Sequence, residues 1–290
     1  MKNEGIINNE VLPTKERSPN YPKMLTEIEE ALNTGNEVEY IKKRIASLVE
    51  TAEKGEISHI SHSIHHGFIG PEMMIRRSVA VDPVTLDDDG IYTELFETIK
   101  LFKNTQGWKD KTIREIVPTA IQITVVKYFG NIASYDNTES KNREFYLDRS
   151  DYDSKAVSIK ELKGKGFAVC AEKASVAENL LAFVGLDSDI IASKNCRLPS
   201  DSEETPHYFI LLHAPKACTI YDPTNPVLVL NEKREVITCT PAIYQISDEQ
   251  AKSLISGGVV IVEHVDEGVD INGNKVYTKS SRTYSGPGQN

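Results

Sequence analysis

Apolar residues recur every three to four positions over long stretches of the first half of the chain, which is the spacing of one helix face. This spacing predicts four helices, over residues 22–34, 37–54, 91–104 and about 110–129. Three of them end at Gly35, Gly55 and Gly130, and glycine supplies the left-handed conformation with which helices commonly terminate. Pro118 lies inside the fourth pattern, so we expect a kink there or a new first turn.

The second half of the chain changes from helical to strand-like patterns. One helix-period run still follows Cys170, with Ala174, Ala177 and Leu181 on one face, and Gly185 ends it. Short apolar runs bounded by turn residues then predict strands over 189–193, 207–213, 218–224, 226–230, 235–239 and 259–265.

Two further signals mark the C-terminal elements. Ser247 and Gln250 form a capping-box pattern that opens a helix to about residue 255. The dipeptide Asn272-Gly273 is typical of a hairpin turn between strands at 269–271 and 276–277. Helices in the first half and strands in the second predict an α+β fold.

Several segments lack a regular pattern. Residues 72–90 are irregular, and their acidic end predicts a solvated turn because it lacks the alternating ligands of a calcium loop. Residues 131–155 predict a long loop, either a flap over a site or a plain connector. The resulting organisation is a flexible lead-in, a mainly helical N-terminal region, a core and a flexible tail, over residues 1–20, 21–150, 151–278 and 279–290.

The charge balance restricts the partners. The chain has 290 residues and a formal net charge of −10, which argues against nucleic acid or an anionic membrane as a partner. No window approaches the apolar length of a membrane span, and the first residues lack the apolar run of a signal peptide. We therefore expect a cytoplasmic protein, and delivery by a route without a cleavable signal stays open.

The four cysteines are too few, in a chain this long, to predict a disulfide framework, and no Cys-x-x-Cys pair indicates a zinc site. Cys170 differs from the others because it follows the glycine-bearing loop 164–166 and begins a helix pattern. A helix N-terminus favours the thiolate, which is the nucleophilic form. The alternative is a structural role, since free cysteine is among the most buried residue types.

Two later residues favour the nucleophile interpretation. His207 opens one strand run and Asp222 closes the next, 15 residues later (222 − 207), which is the length of two adjacent antiparallel strands and a turn. Both should therefore lie at one edge of the sheet, where a base can reach Cys170 and a carboxylate can orient the base. His213, six residues along the same run (213 − 207), should lie ~20 Å away and cannot replace His207.

The motifs around these residues resemble those of the transglutaminase-like cysteine hydrolase superfamily, a branch of the papain-like enzymes. The resemblance rests on Cys170 in Cys-Ala-Glu-Lys-Ala, His207 in Pro-His-Tyr-Phe and Asp222 in Tyr-Asp-Pro-Thr, and covers about residues 156–230. It implies a papain-like core, in which a central helix packs on an antiparallel sheet, and a catalytic triad of Cys170, His207 and Asp222.

The implied activity is hydrolysis or acyl transfer at an amide bond of a protein or peptide substrate, through a thioester on Cys170. The enzyme would be a protease, a glutamine deamidase or a transglutaminase, with no cofactor and no metal. The alternative is a non-catalytic interaction module on the same fold. The sequence does not indicate the oligomeric state.

Two N-terminal features allow other interpretations. His59, His62 and His66 would share one helix face, which suggests metal ligands, but no carboxylate or cysteine lies at a fixed offset, so the pattern favours a half-exposed helix or loop. A segment that lines the cleft over Cys170 is a third possibility. The amphipathic helices at 22–34 and 37–54 are most simply a packed hairpin, and a partner-binding face is the alternative.

Overall fold

A computed structural model describes residues 18–53, 79–130, 138–148, 156–197, 205–214, 217–230, 236–269 and 275–287. These residues form a mixed α+β fold. In chain order its helices and strands are α1 (Tyr21–Thr34), α2 (Glu37–Glu53), β1 (Val79–Ala80), α3 (Pro83–Asp88), α4 (Ile91–Asn104), α5 (Ile113–Phe129), α6 (Thr138–Leu147), β2 (Val157–Ser158), a 3-10 turn (Ile159–Leu162), α7 (Cys170–Phe183), β3 (Asp187–Cys196), β4 (Thr205–Ala214), β5 (Ala217–Leu230), β6 (Val236–Ile246), α8 (Asp248–Ile255), β7 (Val259–Val269) and β8 (Lys275–Ser285).

The helices predicted from apolar spacing are confirmed. α1, α2, α4 and α5 occur close to their expected bounds, and Gly35 and Gly130 end α1 and α5 in the left-handed conformation. α5 starts three residues late because Thr112 caps it: Thr112 Oγ1 accepts the Glu115 N–H at 3.4 Å, and a Glu115 carboxylate oxygen accepts the Thr112 N–H at 2.8 Å. Pro118 therefore lies inside one helix and does not begin a new one.

Three irregular segments are more ordered than the sequence predicted. The expected loop at 131–155 contains α6, and the expected irregular stretch at 72–90 contains α3. The expected flexible tail contains the second half of β8, because residues 279–285 pair with β7 in the β7–β8 hairpin, whose first residues at 276–277 were predicted. Each was missed because short or polar elements carry weak periodicity and are held by contacts from elsewhere in the chain.

The acidic turn before α4 is also not simply solvated. The side chain of Asp89 is only 4 % exposed, and its carboxylate accepts the Tyr128 hydroxyl at 2.7 Å. Lys163 lies 3.6 Å from the same carboxylate. Asp89 therefore joins the start of α4 to the end of α5.

Four strands form one antiparallel sheet in the order β3-β4-β5-β6. His213 pairs with Cys218 across β4 and β5, and Ile210 pairs with Tyr221. As predicted, β4 and β5 are adjacent antiparallel neighbours, but β5 does not end at Asp222 and continues to Leu230, with an irregularity in its pairing after Asp222. The turn at 215–216 lies outside the described residues, as does the Asn272-Gly273 turn between β7 and β8.

The sheet is covered on both faces. On one face α7 packs against β3, β4 and β5, and α5 packs beside it. On the other face a second apolar cluster joins β4 and β5 to α8 and to the β7–β8 hairpin. Alternate side chains of β4 point to the two faces of the sheet. Ile210 belongs to the cluster with α7, and Phe209 and Leu211 belong to the cluster with α8 and the hairpin.

The larger core runs from the N-terminal helices into the sheet without interruption, and includes Ile28, Leu95, Ile121, Leu180 and Ile210. The helical region at 21–150 and the core at 151–278 therefore share one hydrophobic interior. No helix among the described residues is long and apolar enough to cross a membrane.

Candidate functional site

Cys170 is the first residue of α7, as the sequence predicted. The preceding loop is held against the end of α5: the N–H groups of Gly164 and Gly166 donate to the carbonyls of Tyr128 and Phe129, each at 2.8 Å. Both glycines have positive φ, which the turn requires and a side chain would oppose. The loop thereby satisfies carbonyls at the end of α5 and delivers the chain to Cys170 in a fixed direction.

A buried carboxylate fixes the start of α7. Glu172 is 1 % exposed, and its Oε2 accepts the backbone N–H of Val169 at 3.0 Å. Its Oε1 accepts the Tyr146 hydroxyl at 3.0 Å and the Asn142 side-chain amide at 3.2 Å. These two residues lie on α6, so α6 holds the helix end that carries Cys170.

His207 and Asp222 lie together at the sheet. His207 Nε2 is 2.9 Å from Asp222 Oδ2, and both side chains are buried, at 6 % and 0 % exposure. The thiol of Cys170 forms a side-chain hydrogen bond with His207. Because Asp222 occupies Nε2, Nδ1 is the ring nitrogen left for the thiol. The structure therefore brings all three residues selected from the sequence into one contact chain.

The carboxylate of Asp222 has further donors. The Thr224 backbone N–H donates to Oδ1 at 3.1 Å, and the Tyr284 hydroxyl donates to Oδ2 at 3.1 Å. Gln122 on α5 donates to the carbonyl of Pro223 at 2.9 Å, which fixes the backbone beside Asp222 from the helical layer. The irregularity of β5 after Asp222 is thus stabilised from both sides of the sheet.

The pKa values of the buried pair are coupled. Burial alone would lower the pKa of His207, but the Asp222 charge and hydrogen bond and the Cys170 contact raise it above its ordinary 6.5. Burial alone would raise the pKa of Asp222, but the His207 charge and hydrogen bond, the Arg282 charge and the Thr224 N–H lower it to about 2. The carboxylate is therefore ionised at neutral pH, and it favours a protonated imidazole.

A second cysteine, histidine and carboxylate lie at the other end of β4. His213 Nε2 is 2.6 Å from Asp189 Oδ2, and Cys218 Sγ is 3.7 Å from His213 Nδ1. This set differs from the first because the Asp189 side chain is 38 % exposed and a carboxylate oxygen of Asp248 lies 4.0 Å from the sulfur. As expected, His213 is not the partner of Cys170, and it contacts Asp189 and Cys218 at the other end of β4 from His207.

Sequence reasoning missed the residues that support the site. Asn142, Tyr146 and Tyr284 lie in segments predicted as a loop and a tail, where nothing in the local pattern marks a buried hydroxyl or amide. Glu172 was noted only as part of the cysteine motif, and no role was predicted for it. Its position three residues after Val169 is nevertheless that of a helix-capping glutamate.

His59, His62 and His66, for which metal binding was one alternative, lie outside the described residues. Within the described ranges, no group of three His, Cys, Asp or Glu side chains is arranged to hold a metal ion.

No family model matches the chain, and no curated protein or solved structure matches it.

Proposed function

We propose that this protein is a cysteine-dependent hydrolase or acyltransferase that acts on amide bonds of a protein or peptide, on a transglutaminase-like, papain-like core. The observation that supports this most directly is the contact chain from the Cys170 thiol through His207 to Asp222, with 2.9 Å between Nε2 and Oδ2. A nucleophile, a base in contact with it and a buried group that orients the base are the parts that acyl transfer requires.

In the first half-reaction, Cys170 is the thiolate and His207 holds the proton as the imidazolium, and Sγ attacks the carbonyl carbon. The C–S bond forms, the tetrahedral intermediate collapses, and the C–N bond breaks as the imidazolium gives its proton to the departing amine. The product is a thioester on Cys170 and a free amine. Asp222 holds His207 with Nε2 as the donor and balances the imidazolium charge.

In the second half-reaction, water or an amine attacks the thioester carbonyl. His207 removes a proton from the attacking group and keeps it, and the C–S bond breaks to release the Cys170 thiolate beside the imidazolium. Water gives a carboxylic acid, as in a protease or a glutamine deamidase, and an amine gives a new amide, as in a transglutaminase. The choice depends on which acceptor reaches the thioester.

The position of Cys170 at the start of α7 adds electrostatic support. The N-terminal end of a helix carries partial positive charge, which favours the thiolate and the oxyanion of the intermediate. The backbone N–H of Cys170 is the natural donor to that oxyanion. Val169, the residue before the helix, has no side-chain oxygen or nitrogen that could compete as an acceptor at this position.

The decisive experiment traps the acyl-enzyme. The full chain is incubated with a peptide library and quenched in acid, and the Cys170 peptide is analysed by mass spectrometry. We expect an acyl adduct on Cys170 that is absent in Cys170→Ala and strongly reduced in His207→Asn. Cys218→Ser is the matched control, because it removes a thiol beside a histidine and a carboxylate that we place outside the reaction.

A second measurement does not depend on the substrate. Iodoacetamide at pH 6 should alkylate Cys170 much faster than Cys196, Cys218 or Cys239, because only a thiolate reacts at a useful rate. Equal rates at all four cysteines in the wild type would overturn the proposal and favour a non-catalytic interaction module.

A further inference from the structure

We propose that Tyr284 is a positioning residue for the reaction, which acts through Asp222 by sharing Oδ2 with His207 and so fixing which nitrogen of His207 faces Cys170. This inference rests on the proposed function. The observation behind it is that one carboxylate oxygen accepts both the His207 Nε2–H, at 2.9 Å, and the Tyr284 hydroxyl, at 3.1 Å.

Tyr284 is held rigidly by its surroundings. It is 0 % exposed, pairs with Val260 across the β7–β8 hairpin, and meets the Phe209 ring at 4.8 Å between centroids in an edge-to-face contact. Its neighbours on β8 tie the hairpin to β3, because the N–H of Thr283 donates to the carbonyl of Arg197 at 2.9 Å and the N–H of Arg197 donates back at 3.0 Å. The hydroxyl therefore reaches Asp222 from a fixed direction.

Toward Asp222 the hydroxyl can only donate, while its oxygen accepts a hydrogen bond from the Arg282 guanidinium. An ionised carboxylate accepts hydrogen bonds and has no proton to give. Burial, followed by the Asp222 charge, raises the pKa of Tyr284 well above its ordinary value, so the phenol stays protonated. The other charged or titratable groups that act on the pair are Arg282 on the same strand, Tyr244 on β6, Cys196 on β3 and Cys170 on α7.

Three donors then define the plane of the Asp222 carboxylate. Thr224 N–H takes Oδ1, while Tyr284 and His207 share Oδ2. A carboxylate that cannot rotate holds the imidazole in the form with a proton on Nε2, which leaves Nδ1 as the base for Cys170. Without the Tyr284 hydroxyl, Oδ2 keeps one donor in place of two, carries more uncompensated negative charge, and binds the imidazolium more strongly.

The test substitutes Tyr284→Phe in the full chain, which removes the hydroxyl and keeps the ring. Two properties are measured: the ring-nitrogen NMR shifts of His207 as a function of pH, and the iodoacetamide alkylation rate of Cys170 at pH 6. We expect the His207 pKa to rise and the two ring nitrogens to show mixed tautomers once the ring is neutral. Alkylation of Cys170 at pH 6 should not slow, because a histidine that holds its proton more strongly favours the thiolate.

The control is Tyr40→Phe, which removes a part-buried hydroxyl that contacts Met24 Sδ, beside Phe183 at the opposite end of α7 from Cys170. It should change neither His207 nor the alkylation rate. A fluorinated tyrosine in place of Tyr284 keeps the ring and is a stronger donor, so it should move the His207 pKa downward, the opposite direction to Tyr284→Phe. This second variant decides the matter if Tyr284→Phe does not fold.

The outcomes separate this inference from the proposed function. Cys170 in the wild type could show no preferential alkylation while the Tyr284 variants still shift the His207 pKa. That result would overturn the assignment of Cys170 as the nucleophile and support the effect of Tyr284 on His207 through Asp222. If Cys170 is preferentially alkylated and neither Tyr284 variant changes the pKa or the tautomers of His207, Tyr284 only fills space and the positioning role is overturned.

Discussion

The backbone N–H of Val169 donates to Oε2 of Glu172 across 3.0 Å, so the residue immediately before Cys170 is fixed by a carboxylate from the first turn of the same helix. The other oxygen of Glu172 is occupied by donors from α6. The position of Cys170 at the start of α7 therefore depends on the buried carboxyl group of Glu172, two residues away.

Substitution Glu172→Gln should destabilise the protein and weaken the reaction. A glutamine side chain has one acceptor oxygen and an amide that cannot accept, so either Val169 or the α6 donors lose their partner. Loss of a buried hydrogen bond to a charged group costs ~1–3 kcal/mol, which urea unfolding measures directly. Alkylation of Cys170 should slow in the same variant, because the helix end is no longer held.

The matched control is Glu115→Gln. Glu115 makes the same kind of capping contact at the start of α5, with the Thr112 N–H, but it is exposed, so water replaces the lost contact. We expect a smaller loss of stability than in Glu172→Gln and no change at Cys170. Equal losses in the two variants would show that burial of Glu172 contributes nothing to its role.

The coupled pair predicts how stability depends on pH. The folded-state pKa of Asp222 is lowered to about 2 from 3.8, so its contribution is present above pH 3.8 and is lost as the pH falls toward 2. The folded-state pKa of His207 is raised above 6.5, so its contribution is present below pH 6.5 and is lost as the pH rises through the raised value. The combined contribution of Asp222 and His207 to the free energy of unfolding should therefore be greatest between pH 3.8 and pH 6.5.

Urea unfolding of the wild type and of His207→Asn, measured from pH 6 to pH 9, tests the histidine part. The variant lacks the group that titrates, so the stability difference between the two proteins should shrink as the pH rises. A difference that stays constant over this range would mean that His207 is not charged in the folded protein at pH 6.

The opposite end of α7 depends on a residue from the N-terminal helices. Arg44 on α2 donates from Nε to the Phe183 carbonyl at 2.8 Å and from a terminal nitrogen to the Ala182 carbonyl at 2.6 Å. A cation at a helix C-terminus also interacts favourably with the helix dipole. Arg44→Lys keeps the charge but cannot make both contacts in this geometry, and we expect a loss of ~1–2 kcal/mol in thermal or urea unfolding.

Lys43→Ala is the control for Arg44→Lys, because Lys43 is exposed on the same helix and its loss should leave stability within ~0.5 kcal/mol of the wild type. An equal effect of the two substitutions would mean that the Arg44 contacts with the end of α7 carry no net stabilisation.

The parts of the fold that could be predicted from the sequence are those with strong local signals. α4 was bounded correctly because its apolar face is regular, and α8 because Ser247 and Gln250 form a reciprocal capping box at its N-terminus, at 3.2 Å and 2.8 Å. α6 and the part of β8 beyond Tyr277 could not be predicted this way, since α6 is polar and is held by Glu172, and β8 is held by pairing with β7 and by contacts to β3.

The same difference applies to the site. Cys170, His207 and Asp222 could be selected because their residue types are suited to one chemistry and their spacing fits a helix start and two adjacent strands. Tyr284 lies 62 residues after Asp222, and only the docking of a hairpin brings their oxygens together. The sequence also gave no reason to expect that His213 would have its own cysteine and carboxylate.

Because the N-terminal helices and the C-terminal region share one hydrophobic core, we expect that residues 151–290 do not fold without residues 1–150. Phe183 at the end of α7 stacks on Tyr92 with 4.5 Å between ring centroids, and it meets Tyr40 and Phe96 edge to face at 5.9 Å and 6.4 Å. All three partners lie in the N-terminal region, so the isolated C-terminal piece would expose the apolar face of α7 to water. We expect it to show no cooperative thermal transition by circular dichroism, and a mixture of the two pieces to recover one. Cooperative melting of residues 151–290 alone would show that the sheet and α7 form a core of their own, with the N-terminal helices as an independent attachment.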